Sequence, residues 1–179
     1  MAKNIEVEIR SLLSDGDFNR LLSFFEANAQ FLGDDGQETH YRSGPSDLRI
    51  QKSEKGSKIW LKKGEMHDDR REEVEVWSSQ DSFDSISDLF SALGHSVTIK
   101  WLRTRKTFLW KDCTVTLDDT KGYGLIIELE RLVPEEEAQD ALDALQLLAK
   151  ELGITPTPKE DFSKKFNEYK EDWKTLIKN

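Results

Sequence analysis

From Ile5 to Arg10 the chain alternates apolar and charged side chains, reading Ile-Glu-Val-Glu-Ile-Arg. Successive side chains of an extended strand point to opposite faces, so this run predicts a strand with Glu6, Glu8 and Arg10 on one side and Ile5, Val7 and Ile9 on the other. The rhythm returns in Arg71, Glu73 and Glu75, in Arg103-Thr104-Arg105 and in Glu128-Leu129-Glu130. From Asp17 to about Asn28 the period changes: Phe18, Leu21, Leu22 and Phe25 fall at helical spacing. Gly33-Asp34-Asp35-Gly36 then reads as a polar turn. Residues 38–43, 48–52 and 58–63 follow as the strands of a meander, separated by Gly44-Pro45-Ser46-Asp47 and Glu54-Lys55-Gly56.

Beyond a charged loop over 64–70, residues 71–77 read as a strand, and 81–93 as a helix with Ile86, Leu89, Phe90 and Leu93 on one face and Gly94 at its end. The second half repeats the plan with strands over 98–110, 114–118 and 125–132. Pro134 opens a helix whose stripe includes Ala138, Ala141, Leu142, Leu145, Leu148, Ala149 and Leu152. Phe162, Phe166, Tyr169, Trp173 and Leu176 mark a last helical segment. The pattern predicts an α+β fold: about eight mostly antiparallel strands closed into a barrel, with helices outside. Closure gives the sheet an interior that can be polar while helices cover the apolar outer face.

The 179 residues suit one domain over 1–179 with a substantial core. A net charge of −9 and an isoelectric point near 4.9 argue against a surface that coats nucleic acid, which demands a basic face. No apolar run is long enough for a membrane span or signal peptide, so the expected location is cytoplasmic. Cys113, the only cysteine, excludes an internal disulfide and reads as a buried thiol. His40, His67 and His95 show no metal-binding spacing, and no glycine-rich phosphate loop occurs. The charged strand faces carry the chemistry. Several of them around one cavity would set carboxylates, which take hard cations, beside cations that take phosphate, the combination a metal-bound polyanion needs.

These residues carry a family resemblance. Glu6-Val7-Glu8-Ile9-Arg10 resembles the opening Glu-x-Glu-x-Lys/Arg strand of the CYTH superfamily, the triphosphate tunnel metalloenzymes. In order along the chain, Leu48-Arg49, Leu61-Lys62-Lys63-Gly64, Arg71-Glu72-Glu73-Val74-Glu75, Arg103-Thr104-Arg105, Leu117-Asp118 with Gly122-Tyr123-Gly124, and Glu128-Leu129-Glu130 resemble its later motifs. The resemblance spans residues 5–132. It implies an eight-stranded tunnel that binds a small-molecule triphosphate lengthwise with magnesium or manganese, two ions in all. On that reading Glu6, Glu8 and Glu130 form the main metal cage, while Glu128, Glu73, Glu75 and Asp118 hold the second ion or its waters. Arg10, Arg49, Lys63, Arg71, Arg103 and Arg105 neutralise the phosphates, and Glu6, Glu8, Glu130, Arg103 and Arg105 are the catalytic set.

Departures from the pattern are Arg10 in place of lysine, Thr39 in place of an aspartate before Tyr41, and Leu61 in place of threonine. Guanidinium hardly deprotonates, so Arg10 is unsuited to acid–base work. By parity or position, Arg42, Lys52, Lys58, Lys62 and Lys106 read as exterior charges, and Trp60 and Trp110 as helix-covered core. Trp77 and Trp101 share the parity of the tunnel residues and could meet a base or thiazole ring, with core packing the favoured reading. The implied activity is a metal-dependent hydrolase of tripolyphosphate, a nucleoside triphosphate or thiamine triphosphate. A class IV adenylyl cyclase and a polyphosphate-binding module without turnover are the alternatives. The expected partner set is the substrate alone, without nucleic acid or membrane, in a monomer or homodimer.

Overall fold

The computed structural model of the chain describes residues 4–63 and 70–178, with the backbone alone at 4, 63 and 70–73. The elements run β1 (Asn4–Leu13), α1 (Asp15–Asn28), β2 (Gln30–Arg42), β3 (Asp47–Ser53), β4 (Gly56–Lys63), β5 (Arg70–Ser78), α2 (Phe83–Ala92), β6 (Val97–Trp110), β7 (Cys113–Thr120), β8 (Gly124–Pro134), α3 (Ala138–Glu151) and α4 (Lys159–Leu176). Every strand pairs antiparallel with its neighbours in the order β1-β5-β4-β3-β2-β6-β7-β8, and β8 returns to β1. β1 and β8 pair along the whole of β1, whereas β1 and β5 join only at Glu6–Arg71 and Val7–Arg70 among the described residues. The sheet is therefore a half-barrel drawn shut by a short seam, and the full closure expected from the pattern is overstated.

Alternation decides which side of each strand is buried against helices. Val7, Ile9, Val115, Leu117, Ile127 and Leu129 face outward and pack with Phe108 and Trp110 beneath α1 and α3, where Leu21, Phe25 and Leu145 are fully buried. Burying each such side chain contributes roughly 1.5–3 kcal/mol. Ser14 caps α1 by accepting from the Asp17 amide, and Asp15 and Asp17 lie in the first turn, where the helix dipole favours negative charge. A second apolar cluster sets Phe162, Phe166, Tyr169 and Trp173 of α4 against Ile99, Trp101, Tyr123 and Ile126. The turn before β8 must admit this helix. Gly122 has φ +73°, and a Cβ there would come within 2.5 Å of the Leu176 Cβ.

Two expected boundaries differ. Gly33-Asp34-Asp35-Gly36 lies inside β2, paired with Arg105 and its neighbours, because the positive φ of Gly33 makes a bulge between Phe31 and Gly33 instead of a chain reversal. Pro134 ends β8, and a 3-10 turn over Glu135–Glu137 precedes α3. No described helix is long and apolar enough to cross a membrane.

Candidate active site

The inner strand faces line a cavity of about 330 Å³, within the range of small-molecule sites. On β1 and β8, register sets Glu8 directly opposite Glu130 and Arg10 opposite Glu128, with Glu6 one inner position further along β1. Directly opposed like charges are destabilising in a sheet, and here they lie out of bulk water. Burial raises the Glu8 carboxyl to about 7, aided by the charges of Glu128 and Glu6. Burial likewise raises Glu130 to about 7, with Glu128 and Glu8 adding to it. Glu128 goes the other way: burial would raise it, but Arg105, Arg103, Arg10 and Lys62 outweigh that and hold it at about 2.

Facing these groups are the two inner arginines of β6. Arg105 donates from Nε to Asp118 Oδ1 at 2.7 Å and from Nη2 to Asp118 Oδ2 at 2.6 Å, and also pairs with Glu128. Arg103 donates to Asp118 Oδ2 at 3.0 Å and to Gln37 Oε1 at 2.6 Å. Asp118 is fully buried, with both oxygens taken by guanidinium groups. The result is a pair of cations whose planes are fixed from behind before any ligand arrives. Elsewhere on the wall Glu8 pairs with Arg10 at 3.4 Å and Glu6 with Lys62 at 3.7 Å. Arg49 is clamped by Asp47 and lies over the Tyr41 ring at 4.3 Å from its centroid.

A family model for the CYTH domain matches residues 4–161. The chain belongs to the CYTH domain family. Members of this family are generally dependent on divalent metal. Among solved structures, the PH1819 protein of Pyrococcus horikoshii is similar at 27% identity and a TM-score of 0.68, covering 84% of this chain and 92% of that one. PH1012 of the same organism is 23% identical, with a TM-score of 0.71 and coverage of 84% and 91%. HpAC1 of Hippeastrum, 18% identical with a TM-score of 0.63, covers 89% of this chain and 94% of that one. Comparison with curated proteins gives no match.

Within this CYTH domain the expected residues sort unevenly. Glu6, Glu8, Arg10, Arg49, Arg103, Arg105, Glu128 and Glu130 all line the one cavity. Asp118 lies behind the arginines. Glu75 stands apart from the β1–β8 carboxylates, bonded to Lys58 at 2.5 Å and accepting from the Trp77 indole at 3.1 Å. The side chains of Lys63, Arg71 and Glu73, and all of Gly64, lie outside the described residues. On β4 the inner face carries Lys58, Trp60 and Lys62, which corrects the exterior reading of both lysines and the core reading of Trp60. Adjacent Lys62 and Lys63 allow either parity, and a one-residue slip reverses every side chain of the strand. Arg42, Lys52 and Lys106 do lie on the outer side: Arg42 donates to Ser87 and Ser91 of α2, Lys52 lies over Phe83 and Lys106 near Asp34. Cys113 is buried, and that burial pushes its thiol up to about 11.

Sequence reasoning missed the β2–β3 wall. Asp35, Gln37, Thr39, Gln51 and Ser53 line the cavity, and Gln51 Nε2 donates to both Gln37 Oε1 and Thr39 Oγ1 at 3.1 Å. The available signal was strand parity: Asp35, Gln37 and Thr39 share it with Tyr41 on β2, and Gln51 and Ser53 share it with Arg49 on β3. Among the described residues no three carboxylate, imidazole or thiol groups already converge on one metal-sized point. Glu6 is instead paired with Lys62, Glu8 with Arg10 and Glu128 with Arg105.

Proposed function

We propose that this CYTH domain hydrolyses a triphosphate held lengthwise in its tunnel, with divalent metal as cofactor. The observation that carries this reading is the convergence of Glu6, Glu8, Glu128 and Glu130 with Arg103, Arg105, Arg10, Arg49 and Lys62 on one cavity. Hard divalent cations take carboxylate oxygen and share phosphate oxygens, and Glu8 and Glu130, raised by burial and mutual repulsion, are the two carboxyls most in need of a counter-cation. They fit the role of metal ligands, with Glu6 beside them. When bound, the metal supplies charge neutralisation and a more acidic water.

The chain's own part is electrostatic. Arg103 and Arg105, aligned by Asp118, Glu128 and Gln37, offer N–H groups to the phosphate oxygens where negative charge gathers as the bridging P–O bond breaks. Asp118 and Gln37 act as positioning residues, both Asp118 oxygens accepting from the arginines. Arg10, Arg49 and Lys62 hold the remainder of the polyanion, Lys62 taking the place expected for Lys63. Family membership supports an enzyme, and HpAC1 is described as an adenylyl cyclase candidate with a dominant triphosphatase activity.

The test is a product assay with tripolyphosphate, ATP and thiamine triphosphate under magnesium or manganese. Metal-dependent orthophosphate release, lost about 100-fold or more in Glu8→Gln, is the expected result. Cyclic AMP with pyrophosphate, or tight binding with no product, would overturn it.

A further inference from the structure

At the end of the tunnel bounded by β3, β4 and β5, the wall changes character. Trp77, the last inner residue of β5, is 49% exposed although large aromatic side chains are normally covered. It is nevertheless fixed in place: its indole N–H donates to Glu75, which in turn pairs diagonally with Lys58, the β4 residue directly across from Trp77. Lys58 Nζ lies 5.7 Å from the centroid of Trp77 and 5.0 Å from that of Trp60. Trp60 is 94% buried, lines the same cavity, and its indole N–H has no acceptor among the described residues. A buried donor left unmade is costly, and a ligand oxygen would satisfy it. Beside these, Gln51 pairs with Lys58 in register, and its amide is held by Gln37 and Thr39 of β2.

A chain of bare phosphates has no use for a half-exposed tryptophan. We propose that Trp77, Lys58 and Trp60 form a subsite for the aromatic ring and adjoining phosphate of an organic triphosphate, the ring stacking on Trp77 while Lys58 and the Trp60 N–H meet the phosphate. The inference rests on the triphosphatase reading and names its substrate class as ring-bearing esters over inorganic tripolyphosphate. The remaining phosphates then extend toward Lys62, Arg103 and Arg105.

The experiment measures kcat/KM of wild type, Trp77→Ala and Trp77→Phe on ATP, thiamine triphosphate and tripolyphosphate. Base–aromatic stacking predicts that the ratio of ring-bearing to inorganic substrate falls about tenfold in Trp77→Ala, chiefly through KM, and is largely restored in Trp77→Phe. An unchanged ratio for both ring-bearing substrates overturns the subsite while leaving the triphosphatase intact. Should wild type turn over none of the three, the triphosphatase reading fails, and calorimetric binding of the same compounds decides the subsite. Selective weakening of ATP or thiamine triphosphate in Trp77→Ala supports it, and equal binding to both proteins overturns it.

Discussion

Glu8 and Glu130 are where sequence and physics meet most closely. Two carboxyls in direct register, both raised from 4.5 to about 7, keep protons in the folded protein that the unfolded chain has lost between about pH 4.5 and 7. Their contribution to stability is complete below about pH 4.5 and falls away as the pH rises through 7. A divalent ion needing both as carboxylates should oppose that loss. Thermal unfolding with saturating manganese is therefore expected to show a larger rise in Tm at about pH 8 than at about pH 6, and an equal rise at both would contradict the assignment. Arg103 carries a different prediction. Its hydrogen bonds to Asp118 and Gln37 set its plane toward the cavity, so Arg103→Ala should raise KM and lower kcat together, reducing kcat/KM about 100- to 1,000-fold in steady-state assays.

Among the elements, long alternation was legible and short or doubled signals were not. The strand over Ile5–Arg10 and the closing Glu128-Leu129-Glu130 could be read with their faces because apolar neighbours fixed the parity on both sides. β4 could not, since Lys62 and Lys63 are chemically alike and only pairing of Lys62 with Asp47 on β3 settles which turns inward. Replacing Lys62 with Ala should raise KM for tripolyphosphate about tenfold, the scale of one charge-assisted hydrogen bond. Gly33–Gly36 misled because glycine and aspartate serve a bulge as readily as a turn. Asp118 was expected beside the second metal ion, and spacing along one strand does not reveal that two arginines of the next strand donate to its oxygens. The aromatic spacing of α4 was plain, whereas its seat against Trp101 and Tyr123 follows from how the sheet curls.

At the scale of the whole molecule, the fold separates two jobs. The outer face of the curled sheet is apolar beneath α1 and α3 and carries the larger core cluster, which leaves the inner positions of β1, β6 and β8 free to hold opposed charges. The account's central claim is that the inner carboxylates and the inner guanidinium groups grip the same anion. A crystal structure with tripolyphosphate and manganese, phased to locate the metal by its anomalous signal, tests this most directly. The account predicts phosphate oxygens on Arg103 and Arg105 and manganese at Glu8 and Glu130. Phosphate bound outside the tunnel, or manganese away from both glutamates, would contradict it.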